Sequence, residues 1–274
     1  MGKVRIQGED TNIDIANGGV RMDTGSGVAR GEYIGESAVN KFGSAPDFDT
    51  GDLSVTIWDG ADDADINQMN YVYSTTSDIN AVSSNNTGDT GTLNVVGLGP
   101  GYVACDQTVT LSGTSLVSLA TTMLRVFRMK NTSTTSNIGH VYCYVTTALT
   151  SGKPDDMTYL RAVIQPKLNQ TLMSIYTVPA GKTATMDSWF AGEGGAKKTT
   201  NYVIDIKARK QGECFQLKHR SSISDSGTGH LQHEYKYPLI FTEKTDIEMK
   251  AQITAGAITS GVVVAGFSLG LETS

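Results

Sequence analysis

Short apolar runs separated by turn residues dominate the chain from residue 53 onward. LSVTIW, TLNVVGL, LRVFRM and HVYCYV are divided by clusters of Gly, Asn, Asp and Ser, which favour turns. In HVYCYV, Val141, Cys143 and Val145 fall on one face of an extended chain and Tyr142 and Tyr144 on the other. The pattern predicts an all-β protein built from antiparallel strands.

The second half alternates more regularly and predicts strands with one solvated face. YVIDIKAR (202–209) and IEMKAQI (247–253) both carry an apolar residue at every second position. The polar residues between these positions are expected to contact water. They are Asp205, Lys207, Arg209, Glu248, Lys250 and Gln252.

The spacing of the turns predicts two domains. About six strands in each half, with turns roughly every ten residues, favour two antiparallel β-sandwich domains, and the jelly-roll version is expected. We place the boundary in the polar segment 150–156, so that the domains span 41–152 and 153–274. The glycine-rich segment 1–40 keeps no regular period and is interpreted as an extended N-terminal arm, either mobile or lying on a neighbouring subunit.

Two local signals complete the secondary-structure prediction. VPAGK (178–182) carries Pro179 and Gly181 in the order typical of a tight turn, and predicts a hairpin between the flanking strands. ADDADINQMNY (61–71) is the one stretch expected to form a helical turn.

Composition and charge narrow the class of partner. The chain has 274 residues, of which 39% are hydrophobic and 18% charged, so it has enough apolar surface to fold. A net charge of -6 provides no basic stripe for a phosphate backbone, so we expect no direct contact with nucleic acid. The chain shows neither an apolar run of about 18 residues nor a leader pattern, so we expect no membrane insertion and no export by the usual signal.

The three cysteines, Cys105, Cys143 and Cys214, are far apart, and none belongs to a C-x-x-C pair. This spacing predicts neither a disulfide framework nor a zinc site. We expect buried free thiols, which fit folding in a reducing cytosol.

The acidic stretch NKFGSAPDFDTGDLSVTIWDG (40–60) is the first candidate site. An EF-hand loop requires a third oxygen ligand where Gly51 stands, so that calcium signature fails. Calcium between Asp47, Asp49 and Asp52 in another kind of loop is the alternative to an Asp-rich turn, which we favour. Trp58, at the end of an alternating run, is expected to anchor the core or an interface.

Two further stretches resemble sites only in composition. DGADDAD (59–65) carries the carboxylates of Asp59, Asp62, Asp63 and Asp65, but the sequence does not place any two of them at a catalytic separation, and a solvated loop is expected. GLGPG (97–101) lacks the G-x-G-x-x-G spacing of a phosphate loop and is interpreted as a turn.

HRSSISDSGTGHLQH (219–233) is the one segment that contains together the residue types of a catalytic triad or a metal site. It contains His219, Asp225, His230 and His233 together with several serines. His230 and His233 are three residues apart, so in a strand they point to opposite faces and cannot share a metal. We favour a hairpin loop flanked by histidines in strands. The sequence therefore assigns no catalytic, cofactor-binding or metal-binding residue, and no cofactor.

Three stretches together resemble virion structural proteins of tailed bacteriophages. They are NKFGSAPDFDTGDLSVTIWDG (40–60), NQTLMSIYTVPAGKTA (169–184) and PLIFTEKTDIEMKA (238–251). The resemblance runs from about residue 40 to the end, and Ala45 stands where asparagine is commoner in the family. It implies a non-enzymatic particle component that assembles in the host cytoplasm and resides in the virion.

Three functions follow from the resemblance and the strand pattern. The first is a capsid decoration or cement protein, a homo-oligomer with a trimer favoured, that binds the major capsid protein or neighbouring virion proteins. Its arm would lie across a neighbouring subunit. The second is a neck, collar or tail component. The third, ranked last because aromatic residues make up only 7% of the chain, is a glycan-binding or glycan-cleaving receptor protein.

Overall fold

Strands make up most of the described structure. The computed structural model describes residues 24–49, 54–61, 66, 68, 70–194, 201–224, 229–255 and 261–273. These residues form one α-helix, α1 (Thr24–Ala29), 3₁₀ turns at Pro100–Tyr102 and Met157–Tyr159, and strands β1 (Ser37–Phe48), β2 (Val55–Thr56), β3 (Ile79–Ser84), β4 (Thr92–Leu98), β5 (Ala104–Thr110), β6 (Val117–Met123), β7 (Arg125–Asn131), β8 (Val141–Val145), β9 (Leu149–Thr150), β10 (Lys153–Pro154), β11 (Leu160–Ile164), β12 (Ile175–Thr177), β13 (Lys182–Gly194), β14 (Asn201–Lys210), β15 (Gln216–Ser224), β16 (His230–Phe241), β17 (Thr245–Ala255) and β18 (Gly261–Thr273). The all-β prediction is confirmed.

The strands form four larger sheets and one ribbon, and every pairing is antiparallel. Sheet A has the order β1-β18-β13-β16. Sheet B has the order β12-β17-β14-β15, and β2 also pairs with β17. Sheet C has the order β11-β8-β3-β6, sheet D has the order β5-β4-β7, and β9 pairs with β10. The sheets pack as sandwich-like layers, while the jelly-roll version stays a prediction.

Strand pairing connects the two halves of the chain. β1 and β2 precede the segment 150–156, yet they join sheets A and B, whose other strands all follow it. β11 follows that segment and pairs with β8 in sheet C, with Val163 opposite Tyr142. Of the predicted arm, residues 1–23 lie outside the described residues. Its last part contains α1 and the first residues of β1.

The core of sheet A follows from the two-residue period. On β18, Val263, Ala265 and Phe267 are buried, and Phe267 lies opposite Trp189 of β13 in the register. A register shift after Met186 keeps the apolar residues of β13 on the inner face. In sheet B, the apolar positions that the sequence predicts for the interior in YVIDIKAR and IEMKAQI are buried in the same way.

The outer face of sheet B is partly covered, so the prediction that it is solvated is wrong for Glu248 and Asp205, whereas Lys207, Arg209, Lys250 and Gln252 are half-buried. Glu248 is only 5% exposed, and Asp205 is also buried. The chain around residues 70–74 covers this face: Tyr73 Oη donates to Glu248 Oε2 at 3.2 Å, and Ser74 O accepts from Arg125 Nη1 at 2.6 Å. Alternation assigns a side chain to a face, but it does not reveal a distant segment that covers the face.

The predicted hairpin at 178–182 is also wrong, although the turn itself forms. Gly181 has φ +70°, and Lys182 N donates to Pro179 O at 3.3 Å. The flanking strands, however, belong to different sheets, β12 to sheet B and β13 to sheet A. Ala180 N donates to Tyr102 O at 3.0 Å, which ties the turn to the first half of the chain. The chain uses this turn to cross between layers.

Helix appears where the sequence did not predict it. Of 61–71, only residues 61, 66, 68, 70 and 71 are described, and none of these is helical. α1 instead forms in the glycine-rich arm, where glycine disfavours helix. A Cβ at Gly27 would lie 2.4 Å from the Tyr33 ring, so this ring packs against the helix backbone. That close packing offsets the poor helix propensity.

Candidate assembly surface

The outer face of sheet A exposes apolar side chains to solvent. Phe190 of β13 is 37% exposed and Val264 of β18 is 41% exposed, and Val262 is similarly exposed. Phe42 of β1 is half-buried on the same face. We call these four residues the assembly surface.

The strand register brings the assembly surface together. Phe42 and Phe190 both lie opposite Gly266, from the two sides of β18. Val264 is two residues from Gly266 and therefore points to the same face. A Cβ at Gly266 would lie 2.7 Å from the Phe190 ring and 2.4 Å from Lys41 O. The absence of a side chain at this position lets the Phe190 ring lie over the sheet.

The β16 edge of sheet A lies beside this surface. β16 pairs with β13 alone among the described strands, so its other side carries unpaired backbone groups. A register shift between Met186 and Ser188 leaves the β16 segment around Tyr237 and Pro238 without partners in the ladder. Tyr237 is 80% exposed and Ile240 is 71% exposed. Proline fits an edge strand, because it has no N–H to donate to a ladder.

The histidine segment forms an aromatic cluster instead of a hairpin. β15 and β16 lie in sheets B and A, so the predicted hairpin is wrong. His219 and His233 face each other with ring centroids 4.6 Å apart, and Tyr235 packs on both rings. His230 and His233 point to opposite faces, as predicted. Asp225 lies outside the described residues.

Burial, followed by the charge of His233, lowers the pKa of His219. The ring nitrogen Nε2 of His219 lies 3.0 Å from Ser221 Oγ. Trp189 packs edge-on against His219, with centroids 5.3 Å apart. The sequence indicated neither the contact between the two histidines nor the contact with Trp189, because both depend on the packing of sheet A on sheet B.

The acidic candidates have structural roles where they are described. Asp59 is buried and its Oδ2 accepts from Leu172 N at 2.6 Å, so the solvated-loop prediction is wrong for this residue. Trp58, expected in the core or at an interface, is fully buried and lies in the core. Asp49 follows β1 directly. Gly51, Asp52, Asp62, Asp63 and Asp65 lie outside the described residues.

The structure also describes the GLGPG stretch and the three cysteines. The GLGPG stretch forms the predicted turn between β4 and β5, with Gly101 at φ +71°. All three cysteines are free, but only Cys143 is buried, so the prediction of burial is wrong for Cys105 and Cys214.

In the described part of the chain no three His, Cys, Asp or Glu side chains are grouped to hold a metal ion. Nor does any helix described there have the length and apolar character needed to cross a membrane.

A cavity of about 400 Å³ lies between β1 and sheet D and contains an unexpected buried lysine. Lys41 of β1 is 4% exposed, and its Nζ donates to Phe127 O at 2.5 Å. Burial, followed by the charge of Arg128, lowers the pKa of Lys41 to about 7. Arg128 also donates to Asn40 O at 3.1 Å and lies over the Phe42 ring, so it joins the cavity to the assembly surface.

Sequence reasoning did not single out the residues of the assembly surface. The signal was present in GVVVAGF (261–267), where apolar residues occupy both faces of one strand. A strand of this kind is either covered on both sides within its own chain or presents one apolar face to a partner.

Comparison with known proteins shows no family for this chain. No protein-family model matches it, and no curated protein matches it. Among solved structures, it was aligned with "Structure of infectious bursal disease virus Gt strain" at 10% identity and a TM-score of 0.20, covering 86% of this chain and 72% of that chain. The corresponding Gx strain structure has 8% identity and a TM-score of 0.20, with 87% and 76% covered. Similarity at this level carries no argument about fold or function.

Proposed function

We propose that this chain is a non-enzymatic structural protein of a tailed-bacteriophage virion, a capsid decoration protein that binds the assembled head. The observation that carries the proposal is the apolar outer face of sheet A beside the unpaired β16 edge. Contiguous exposed apolar side chains on a rigid sheet are typical of surfaces that dock other polypeptides. The resemblance of three sequence stretches to phage virion proteins supports the same role.

The face, more than the edge, is suited to docking. Lys236 and Pro238 on β16 discourage the addition of another strand, because a charge and a missing donor both weaken edge pairing. Phe190 and Val264 have no such protection. A second copy of this chain on this face would give a closed homo-oligomer, for which a trimer is expected, and the oligomer would bind the major capsid protein.

The number of copies in purified particles tests the proposal. Decoration of a shell predicts on the order of hundreds of copies, set by the symmetry of the lattice, whereas a ring at the neck or tail predicts about a dozen. Cryo-electron microscopy of intact particles, with quantitative mass spectrometry, measures this number. A copy number of about a dozen would assign the chain to the neck or tail instead of the head surface. Absence of the chain from purified particles would overturn the virion role.

A surface variant tests the docking face. The double variant Phe190→Ser and Val264→Ser should lower occupancy on particles and weaken self-association in sedimentation, while the circular dichroism spectrum stays unchanged. Val103→Ser is the matched control, since Val103 is 62% exposed on a turn in the other half of the chain. Equal occupancy for the double variant and the control would contradict the assignment of this face.

A further inference from the structure

Lys250 and Asn70 meet on the outer face of sheet B although they are 180 residues apart in the chain. Lys250 lies on β17, and its Nζ contacts Oδ1 of the Asn70 side chain. Because Oδ1 is bonded to Cγ, this contact places an amine nitrogen beside an amide carbonyl carbon. A primary amine held against a carboxamide is the substrate pair of an amide exchange.

The fold holds Asn70 in this position through β2. Thr56 of β2 lies opposite Lys250 in the register with β17. Thr56 Oγ1 accepts a hydrogen bond from Tyr71 N at 3.1 Å, so the residue after Asn70 is tied to the strand next to Lys250. The Tyr71 ring also packs edge-on against Trp58, with centroids 5.1 Å apart. The approach of Asn70 to Lys250 is therefore set by buried anchors.

A buried carboxyl group lies on the same strand and the same face as Lys250. Glu248 precedes Lys250 by two residues and therefore points to the same face of β17. It is buried, and its Oε2 accepts from Tyr73 Oη at 3.2 Å. Burial raises the pKa of Glu248 and lowers the pKa of Lys250. Both shifts make the charged forms of the two groups less favourable, and so they make proton transfer from Lys250 to Glu248 easier.

The other charged groups around this pair are already engaged. Asp205 of β14 lies opposite Lys250, but its two carboxylate oxygens accept from Arg220 Nε and Nη2 at 2.7 and 2.8 Å. Lys207 lies opposite Glu248 and is 3.9 Å from Asp205 Oδ2. Arg209 is paired with Asp246 at 3.0 Å. Among the described residues, Glu248 is the carboxyl group on this face that has no hydrogen bond from an arginine, although the charges of Lys207 and Arg209 act on it and oppose the effect of burial on its pKa.

We propose that Lys250 and Asn70 join in an intramolecular isopeptide bond, with Glu248 as the proton carrier. Lys250 transfers a proton to Glu248, and the neutral Nζ attacks Asn70 Cγ. Glu248 protonates Oδ1 and then takes up the second proton from Nζ. Glu248 then gives this second proton to Nδ2, the Cγ–Nδ2 bond breaks and one ammonia leaves. The proton on Oδ1 returns to Glu248 as the carbonyl bond re-forms in the new Cγ–Nζ amide. No oxidant, reductant or cofactor is required, and Asn70 is exposed, so ammonia can leave directly into solvent.

Such a bond would close a covalent loop that contains sheets C and D and most of sheet B. The link would hold the chain before Tyr71 onto β17, and it would resist unfolding in the way that a disulfide does, by restricting the unfolded chain. This inference is independent of the proposed virion role, since the crosslink needs only the folded chain.

Intact-mass measurement of the full-length purified chain under denaturing conditions tests the proposal. The wild type should be lighter than its sequence mass by one ammonia, and proteolysis should release one branched peptide that joins the segments around Asn70 and Lys250. The Asn70→Ala and Lys250→Arg variants should show the full sequence mass. Asn70 is exposed, so Asn70→Ala is expected to leave the fold intact, which circular dichroism checks.

Two further variants separate the proposed chemistry from other routes to the same mass. Glu248→Gln keeps the shape of the side chain but cannot carry the proton, so it should remain uncrosslinked. Asn70→Asp should instead lose one water, because the leaving group changes from ammonia to water. Lys218→Arg is the matched control: Lys218 Nζ also contacts an amide oxygen, Gln216 Oε1 at 2.9 Å, but on the exposed strand β15, and the variant should keep the mass deficit of the wild type.

The full sequence mass for the folded wild type, maintained after incubation from mildly acidic to mildly alkaline pH, would overturn the proposal. A deficit of one ammonia that persists in Asn70→Ala would also overturn it, because the ammonia would then come from another residue.

Discussion

Arg125 of β7 and Asp246 of β17 form a bidentate ion pair in the interior of the protein. Arg125 Nε lies 3.0 Å from Oδ1 of Asp246, and Nη2 lies 3.1 Å from Oδ2. Both side chains are at least nine-tenths buried. Thr177 Oγ1 donates to the same Oδ1 at 2.6 Å, and Arg209 Nε lies 3.0 Å from Oδ2. The pair joins sheet D to sheet B and so links the two halves of the chain.

Removal of Asp246 should therefore be costly. The Asp246→Leu variant leaves the Arg125 guanidinium buried without its carboxylate, so we expect the free energy of unfolding to fall by about 3–5 kcal/mol. Chemical denaturation measures this change. The Arg30–Glu32 pair is half-exposed on both sides, and Glu32→Ala should cost less than about 1 kcal/mol. Similar losses for the two variants would contradict a structural role for the buried pair.

Trp58 provides a second test of the interior. Its ring is fully buried, and its Nε1 donates to Gln68 O at 3.1 Å. The Trp58→Ala variant should lower the free energy of unfolding by about 3–5 kcal/mol, because a large cavity remains. Tyr237→Ala removes an aromatic ring that is 80% exposed, and it should change stability by less than about 0.5 kcal/mol. Chemical denaturation of both variants and the wild type measures these changes, and equal m-values allow the midpoints to be compared directly.

Lys41 should make stability depend on pH in the alkaline range. The ordinary pKa of a lysine is 10.5, and the pKa of Lys41 in the folded protein is about 7. Between these two values the unfolded chain binds one more proton than the folded protein, so the free energy of unfolding increases with pH. One pKa unit corresponds to about 1.4 kcal/mol. We expect the Lys41→Met variant to lack this increase between pH 7 and 10.5, as measured by chemical denaturation at several pH values. Parallel profiles of unfolding free energy against pH for variant and wild type would contradict the lowered pKa of Lys41.

The His219–His233 contact should weaken the fold in mild acid. The pKa of His219 is lowered from its ordinary value of 6.5, so near that pH the unfolded chain binds more protons than the folded protein. Stability contributed by the neutral ring is present above pH 6.5 and is lost as the pH falls through the folded-state pKa. His233→Gln should reduce this loss, whereas His230→Gln, on the opposite face of β16, should not. Thermal melts between pH 5 and 8 test the difference.

Local pattern was sufficient to predict the class of the fold and several of its anchors. The alternation in HVYCYV and YVIDIKAR predicted β8 and β14. The tryptophan at the end of LSVTIW was expected to anchor the core or an interface, and it lies in the core. The turns at GLGPG and VPAGK also formed where proline and glycine restrict or relax the backbone. These features depend on residues that are close in sequence, so the sequence alone contains their cause.

Tertiary structure alone determined which faces are covered and which distant residues meet. The two-residue period placed Glu248 and Lys250 on one face of β17, but the burial of Glu248 comes from a segment more than 170 residues earlier in the chain. In the same way, His219 meets His233 because sheet B packs on sheet A, and Lys41 is buried because β1 lies beside sheet D. The sequence by itself therefore determined strands and their faces. Long-range packing decided pairing, burial and protonation, since these depend on the free energy of surfaces that only the complete fold brings together.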